Sequence, residues 1–115
     1  MSKRFQIARP AELPAVECPC GETRRAFLDD ADGVASLHVL EISADSRTHY
    51  HKRLTEIYYI LDGEGVIELD GERHPARPGD AILIKPLCRH RAVGRLRVIV
   101  VPVPAFDETD EWFDE

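Results

Sequence analysis

His49 and His51 lie two residues apart, and Glu56 follows five residues after the second. On a β-strand, residues i and i+2 point to the same face, so both imidazoles can aim at one point. The spacing of Glu56 from both histidines is odd, so on one straight strand its carboxylate would face away. It converges with them only if the chain turns between Lys52 and Thr55. The run Glu56-Ile57-Tyr58-Tyr59-Ile60-Leu61 reads as a fresh strand, which is consistent with such a turn. Two neutral imidazoles and one carboxylate suit a divalent first-row metal. A fourth ligand is offered by His90, which opens a strand after the Pro-containing connector Lys85–Arg89.

These residues need a frame, and the surrounding sequence predicts one made of strands. Arg24–Leu28 and Ala35–Ile42 read as strands separated by the Asp/Gly-rich turn 29–33. Glu56–Leu61, the turn Asp62–Gly65 and Val66–Leu69 read as a hairpin. Asp70-Gly71 makes a second turn and Glu72–Ala76 a short strand in which Pro75 marks an edge or an end. Pro78-Gly79-Asp80 makes a third turn. Ala81–Ile84 and Arg95–Val103 complete the set, and no helix is expected in the core. Strands this short and regularly spaced predict an antiparallel sandwich or barrel.

The chain has 115 residues, a length that fits one domain with a modest core. Its formal charge of −6 argues against a nucleic-acid partner. No N-terminal apolar segment has the length of a signal peptide or a membrane span, so a cytoplasmic protein without a membrane partner is expected. Three cysteines, an odd number, do not read as a secreted disulfide framework. Cys18-Pro19-Cys20 could hold a soft metal or act in redox chemistry. The expectation adopted is that these cysteines are small apolar residues docking an N-terminal arm. The expected organisation is an extended arm over 1–23, a barrel over 24–105 and an acidic tail over 106–115.

The motifs together resemble the cupin superfamily, specifically the small single-domain type. Its first motif, His-x-His, then Glu, then Gly, is matched by His49, His51, Glu56 and Gly63. Its second, opening on Pro-Gly-Asp and closing on His, is matched by Pro78-Gly79-Asp80 and His90. Four positions depart: Ser43 stands where the family has Gly before the first histidine, Lys85 and Leu87 replace the second motif's Pro and Gly, and Gly94 replaces a frequent Asn. All four are read as falling in turns and connectors and leave the ligand set intact. The resemblance covers roughly Val34–Val103 and implies an all-β, antiparallel jelly-roll (double-stranded β-helix) barrel. It also implies one divalent transition metal ion (Fe, Mn, Ni or Zn) held by His49, His51, Glu56 and His90, and a homodimer.

The function expected is that of a metal-binding protein acting on a small oxygen-containing substrate, dioxygenase-like or isomerase-like. The alternative is a non-enzymatic cupin that binds or senses a small molecule. Tyr58 shares the parity of Glu56 and is the candidate catalytic residue, a phenol that would donate a hydrogen bond to a bound ligand, or else a packed core tyrosine. His38, in mid-strand, reads as a structural histidine. Arg95 and Arg97 are candidates for a substrate carboxylate, with a solvated outer face the favoured reading. Cys88 reaches the metal only if the connector keeps strand parity. Trp112 and Phe113 are expected to pack back on the barrel or across a dimer.

Overall fold

The structure is a computed structural model that describes residues 3–115. Seven strands carry it: β1 (Val16–Cys18), β2 (Gly21–Ala26), β3 (Leu37–Ile42), β4 (Thr55–Leu69), β5 (Glu72–Ala76), β6 (Ala81–Ile84) and β7 (His90–Val103). All pairings are antiparallel, in the order β1-β2-β3-β7-β4-β5, with β6 pairing the first part of β4 along the edge that β5 pairs further on. This is the expected jelly-roll barrel. Among the described residues the helical content is two 3-10 turns outside the core, Pro10–Glu12 and Glu108–Asp110.

The long strands β4 and β7 differ from the sequence expectation. The glycines at 63 and 65 were read as a hairpin turn. Instead β4 runs unbroken for 15 residues, and β7 for 14, paired along their whole lengths. The glycines are needed because the two backbones approach closely. A Cβ on Gly63 would collide with the carbonyl oxygen of Arg95, and one on Gly65 with that of Val93. Gly63 also sits at φ +102°, which an L side chain rarely adopts.

A β-bulge between Ile60 and Asp62 shifts the register of β4 against β7. It changes which parity faces inward. Glu56, Tyr58 and Ile60 are buried before it, whereas Ile67 is buried after it. One extra residue bends the strand so that both halves keep an inner face. On β7 the even positions His90, Ala92, Leu96, Val98, Val100 and Pro102 are buried throughout. Of these, Ala92, Leu96, Val98 and Val100 meet Ile42, Ile67 and Ile84 in one core.

Strand pairing begins inside the segment expected to be an arm. Cys18 and Cys20 are joined in a disulfide at the tight β1–β2 turn, not packed as separate thiols. The tail packs back as expected. Tyr50 and Trp112 exchange both backbone hydrogen bonds at 2.9 Å. Lys52 Nζ sits 3.6 Å from the Trp112 ring centroid, and the Arg47 guanidinium 4.2 Å from that of Phe113. Both tail aromatics nevertheless stay half exposed. Arg89 grips the Asp114 carboxylate with two nitrogens, at 2.9 and 3.0 Å.

Candidate metal centre

Each histidine of the predicted set reaches the barrel interior by a different route. His49 forms an isolated bridge with His90 at the start of β7, exchanging backbone hydrogen bonds at 3.1 and 2.9 Å. His51 follows two residues on. The chain then turns through Lys52–Leu54, and β4 starts at Thr55, so Glu56 points inward despite its odd spacing. The ligand nitrogens of His49, His51 and His90 lie within 4.8 Å of one another. Glu56 Oε1 lies 3.0 Å from His51 Nε2 and 3.1 Å from His90 Nε2. His51, Glu56 and His90 are buried, and His49 is nearly so.

The orientation of the rings follows one rule. Nδ1 of His49 donates to the carbonyl of Arg47 at 2.9 Å, Nδ1 of His51 to that of Asp110 at 2.8 Å, and Nδ1 of His90 to that of Cys88 at 2.9 Å. A neutral imidazole that donates from Nδ1 carries its lone pair on Nε2. Three backbone carbonyls thus fix three rings with Nε2 turned to the centre, the arrangement that orients histidine ligands in metal sites. His51 Nε2 is buried and makes no hydrogen bond of acceptable geometry, although the Glu56 carboxylate is in contact. An orphaned nitrogen among three preset imidazoles and a carboxylate fits a divalent metal.

The electrostatics agree. Burial works against the Glu56 carboxylate, but the adjacent His51 and His90 rings outweigh this and bring its pKa to about 2. Burial, reinforced by the neighbouring His90, lowers His49 to about 4, so this ring is neutral at pH 7. Burial also opposes charge on His51, but Glu56 overcomes it and raises that ring's pKa.

Above the centre lies a cavity of about 310 Å³. Leu40, Ile42, Ala92 and Val100 form its apolar wall, and Tyr58 lines it beside the ligand set, as parity predicted. Burial, with Glu56 and Glu111 nearby, raises the Tyr58 pKa well above its ordinary value, so the phenol keeps its proton. His38 also lines the cavity, where a structural role was favoured. Its Nε2 lies 2.9 Å from the Ser36 hydroxyl, and burial together with Arg25 lowers its pKa to about 4. Cys88 supplies only its carbonyl to His90, because the connector turns at Leu87, which has φ +78°. Arg95 and Arg97 face outward, and Arg97 pairs with Glu41 on the surface.

The cavity residues missed from the sequence include Arg25, Thr23 and Glu111. Thr23 and Arg25 share a face of β2, a strand whose inward parity no ligand fixed beforehand. Glu111 arrives from the tail, and its Oε1 is 3.7 Å from His49 Nε2. Burial raises its pKa.

A family model described as the cupin domain matches residues 36–102. The chain is 35% identical over 75 residues to an uncharacterised protein of Methanocaldococcus jannaschii, spanning 60% of each chain. It is 39% identical over 71 residues to the L-ectoine synthase of Mycolicibacterium gilvum, spanning 59% of this chain and 54% of that one. The chain therefore covers less than two thirds of the length of these curated relatives. A crystal structure of a protein from Planctomyces limnophilus superposes with a TM-score of 0.90 at 44% identity, covering 95% of this chain and 96% of the other.

Proposed function

This chain belongs to the cupin domain family, and we propose that it is a mononuclear metal enzyme acting on a small oxygen-containing molecule. The ligands would be Nε2 of His49, His51 and His90 with the Glu56 carboxylate, and the ion Fe, Mn, Ni or Zn. The single observation that carries this reading is the set of three imidazoles pinned at Nδ1 by three backbone carbonyls, with their ligand nitrogens within 4.8 Å. A bound divalent ion would supply Lewis acidity or a site for dioxygen.

The protein's own groups have separate tasks. Glu56 supplies the one negative charge of the ligand set and contacts both His51 and His90. The apolar wall of Leu40, Ile42 and Val100 excludes water and strengthens every charge interaction inside. Tyr58, protonated at any working pH, acts as a hydrogen-bond donor to the ligand and not as a base. The chain's similarity to L-ectoine synthase, a protein named as an enzyme, is consistent with catalysis.

A binding module is the second reading. It draws on the scarcity of acid–base groups in the cavity: His38 is hydrogen-bonded and of low basicity, and the Tyr58 phenol does not ionise, which leaves Glu111 as the acid–base group outside the ligand set. Screening the metal-loaded protein against small hydroxy and keto compounds, with and without dioxygen, separates the two. Turnover that disappears in Glu56→Gln and falls at least tenfold in Tyr58→Phe with metal retained supports the enzyme. Tight binding with no turnover supports the module.

A homodimer is proposed as well. Leu83, Ile57, Tyr59 and Val103 lie half exposed on the outer face of β6, β4 and β7, an apolar surface that a second copy could cover. Sedimentation at the mass of a single chain would remove that proposal.

A further inference from the structure

Among the described residues, three buried side-chain polar atoms make no hydrogen bond: Thr23 Oγ1, Arg25 Nε and His51 Nε2. All three residues line the same cavity. Folded proteins rarely leave such atoms unpaired, because each loses its water without gaining a replacement. Their convergence on one cavity is what a site built for a ligand leaves when read from the protein alone. His51 belongs to the metal centre. Thr23 and Arg25 do not.

Thr23 and Arg25 are i and i+2 on β2 and so share a face. Opposite them on β3 stand Leu40 and His38, both also lining the cavity. The Arg25 guanidinium lies 5.1 Å from the Phe106 ring centroid, a placement that keeps its in-plane donors available. Arg25 makes no ion pair among the described residues. Glu111, a tail acid that senses the Arg25 charge, sits 3.7 Å from His49. His38 beside it is neutral at pH 7.

We propose that Thr23 and Arg25 form a carboxylate-binding subsite, so that the molecule this cavity takes is a small carboxylate. One end would lie on the Arg25 fork and the Thr23 hydroxyl, and the other would face the histidine cluster across the apolar wall. A guanidinium matches a carboxylate in two parallel bonds, and a hydroxyl donates a third. A cavity of about 310 Å³ falls at the low end of the usual ligand range, roughly 300–1,000 Å³, which suits a small molecule. The proposal names the substrate class of the reading above and rests on it only for the other end of the ligand.

The test is calorimetric titration of the full-length protein with three- to six-carbon mono- and dicarboxylates, each paired with its primary amide, and with phosphate monoesters of similar size. Metal content is measured on the same samples. At least one acid should bind, with its amide at least tenfold weaker. Arg25→Gln should lose at least tenfold of that affinity with metal content unchanged, and Arg25→Lys should lose less, because it keeps the charge without the fork. Thr23→Val should bind the acid severalfold more weakly yet melt higher without ligand, because it replaces an unpaired buried hydroxyl by a methyl group of similar shape. Arg97→Gln, on the outer face, should bind as wild type. Amides binding as well as acids would overturn the subsite, as would phosphate esters binding in preference to acids or no acid binding to metal-replete protein. Acid binding that depends on Arg25 in protein that takes up no metal would leave the subsite standing and sink the metal-enzyme reading alone.

Discussion

Nδ1 of His51 lies 2.8 Å from the backbone carbonyl of Asp110, 59 residues further along the chain. The same aspartate turns its carboxylate the other way. It accepts from the backbone N–H of Lys52, Arg53 and Leu54 at 3.0, 2.9 and 3.0 Å, and from the Trp112 indole at 3.1 Å. One buried tail residue therefore sets the tautomer of one candidate ligand and holds the turn that brings Glu56 round to join it. The C-terminal segment is part of the site, although it lies outside the residues that the family model matches.

Asp110→Ala is expected to destabilise the fold by about 3 kcal/mol, since it strands the buried Leu54 N–H and the partly buried N–H groups of Lys52 and Arg53 at once. For a domain of this size that is a fall in melting temperature of roughly 10 °C. Thermal melts of the mutant and wild type check it, and a change within 2 °C, an arbitrary but strict margin of about 0.5 kcal/mol, would mean the turn holds without its anchor.

The same contact gives a pH dependence. Burial tends to raise the Asp110 pKa, but the backbone and indole donors outweigh it and bring the folded value to about 2, against an ordinary 3.8. A carboxylate with a depressed folded pKa binds fewer protons folded than unfolded, so its contribution is full above the unfolded value. It is lost as pH falls from about 4 towards 2. Denaturant midpoints measured over that window should drop more steeply for wild type than for Asp110→Asn.

Much of this arrangement could be read from the sequence, for reasons tied to particular residues. His49 and His51 announce themselves because strand parity is a local rule, and Pro78-Gly79-Asp80 marks the turn that leads to β6. Gly63 and Gly65 misled because a glycine permits two things: a turn, or a close approach of two backbones. Choosing between them requires β7, which lies some thirty residues away. Arg25 and Glu111 were invisible for a similar reason, since each enters the cavity from an element whose inward face only the assembled barrel defines.

The glycine argument can be checked directly. Gly63→Ala should cost more than about 2 kcal/mol, because the new methyl group meets the Arg95 carbonyl oxygen and the backbone is left-handed. Leu87→Gly should do the reverse. Leu87 is exposed and holds φ +78°, so glycine there relieves strain and gains up to about 1 kcal/mol. Equal melting temperatures for Gly63→Ala and wild type would contradict the close crossing of β4 and β7.

Truncation before Phe106 tests the tail as a whole. It removes the Tyr50–Trp112 bridge, the Asp110 anchor, and Glu111 and Phe113 from the cavity wall. The truncated chain should melt at least 10 °C lower, the loss expected of the Asp110 anchor alone at about 3 kcal/mol. An unchanged melting temperature would assign the tail no structural role.

The most direct test of the central claim is metal content by elemental mass spectrometry, on protein purified without a metal-affinity column. Wild type is compared with His51→Ala, and circular dichroism confirms that the mutant folds. The expected result is about one equivalent of a divalent transition metal in the wild type and a loss of it in the mutant. No metal in the wild type after reconstitution with Fe, Mn, Ni and Zn ions, or equal metal in folded wild type and mutant, would contradict the claim that His49, His51, Glu56 and His90 form a metal centre.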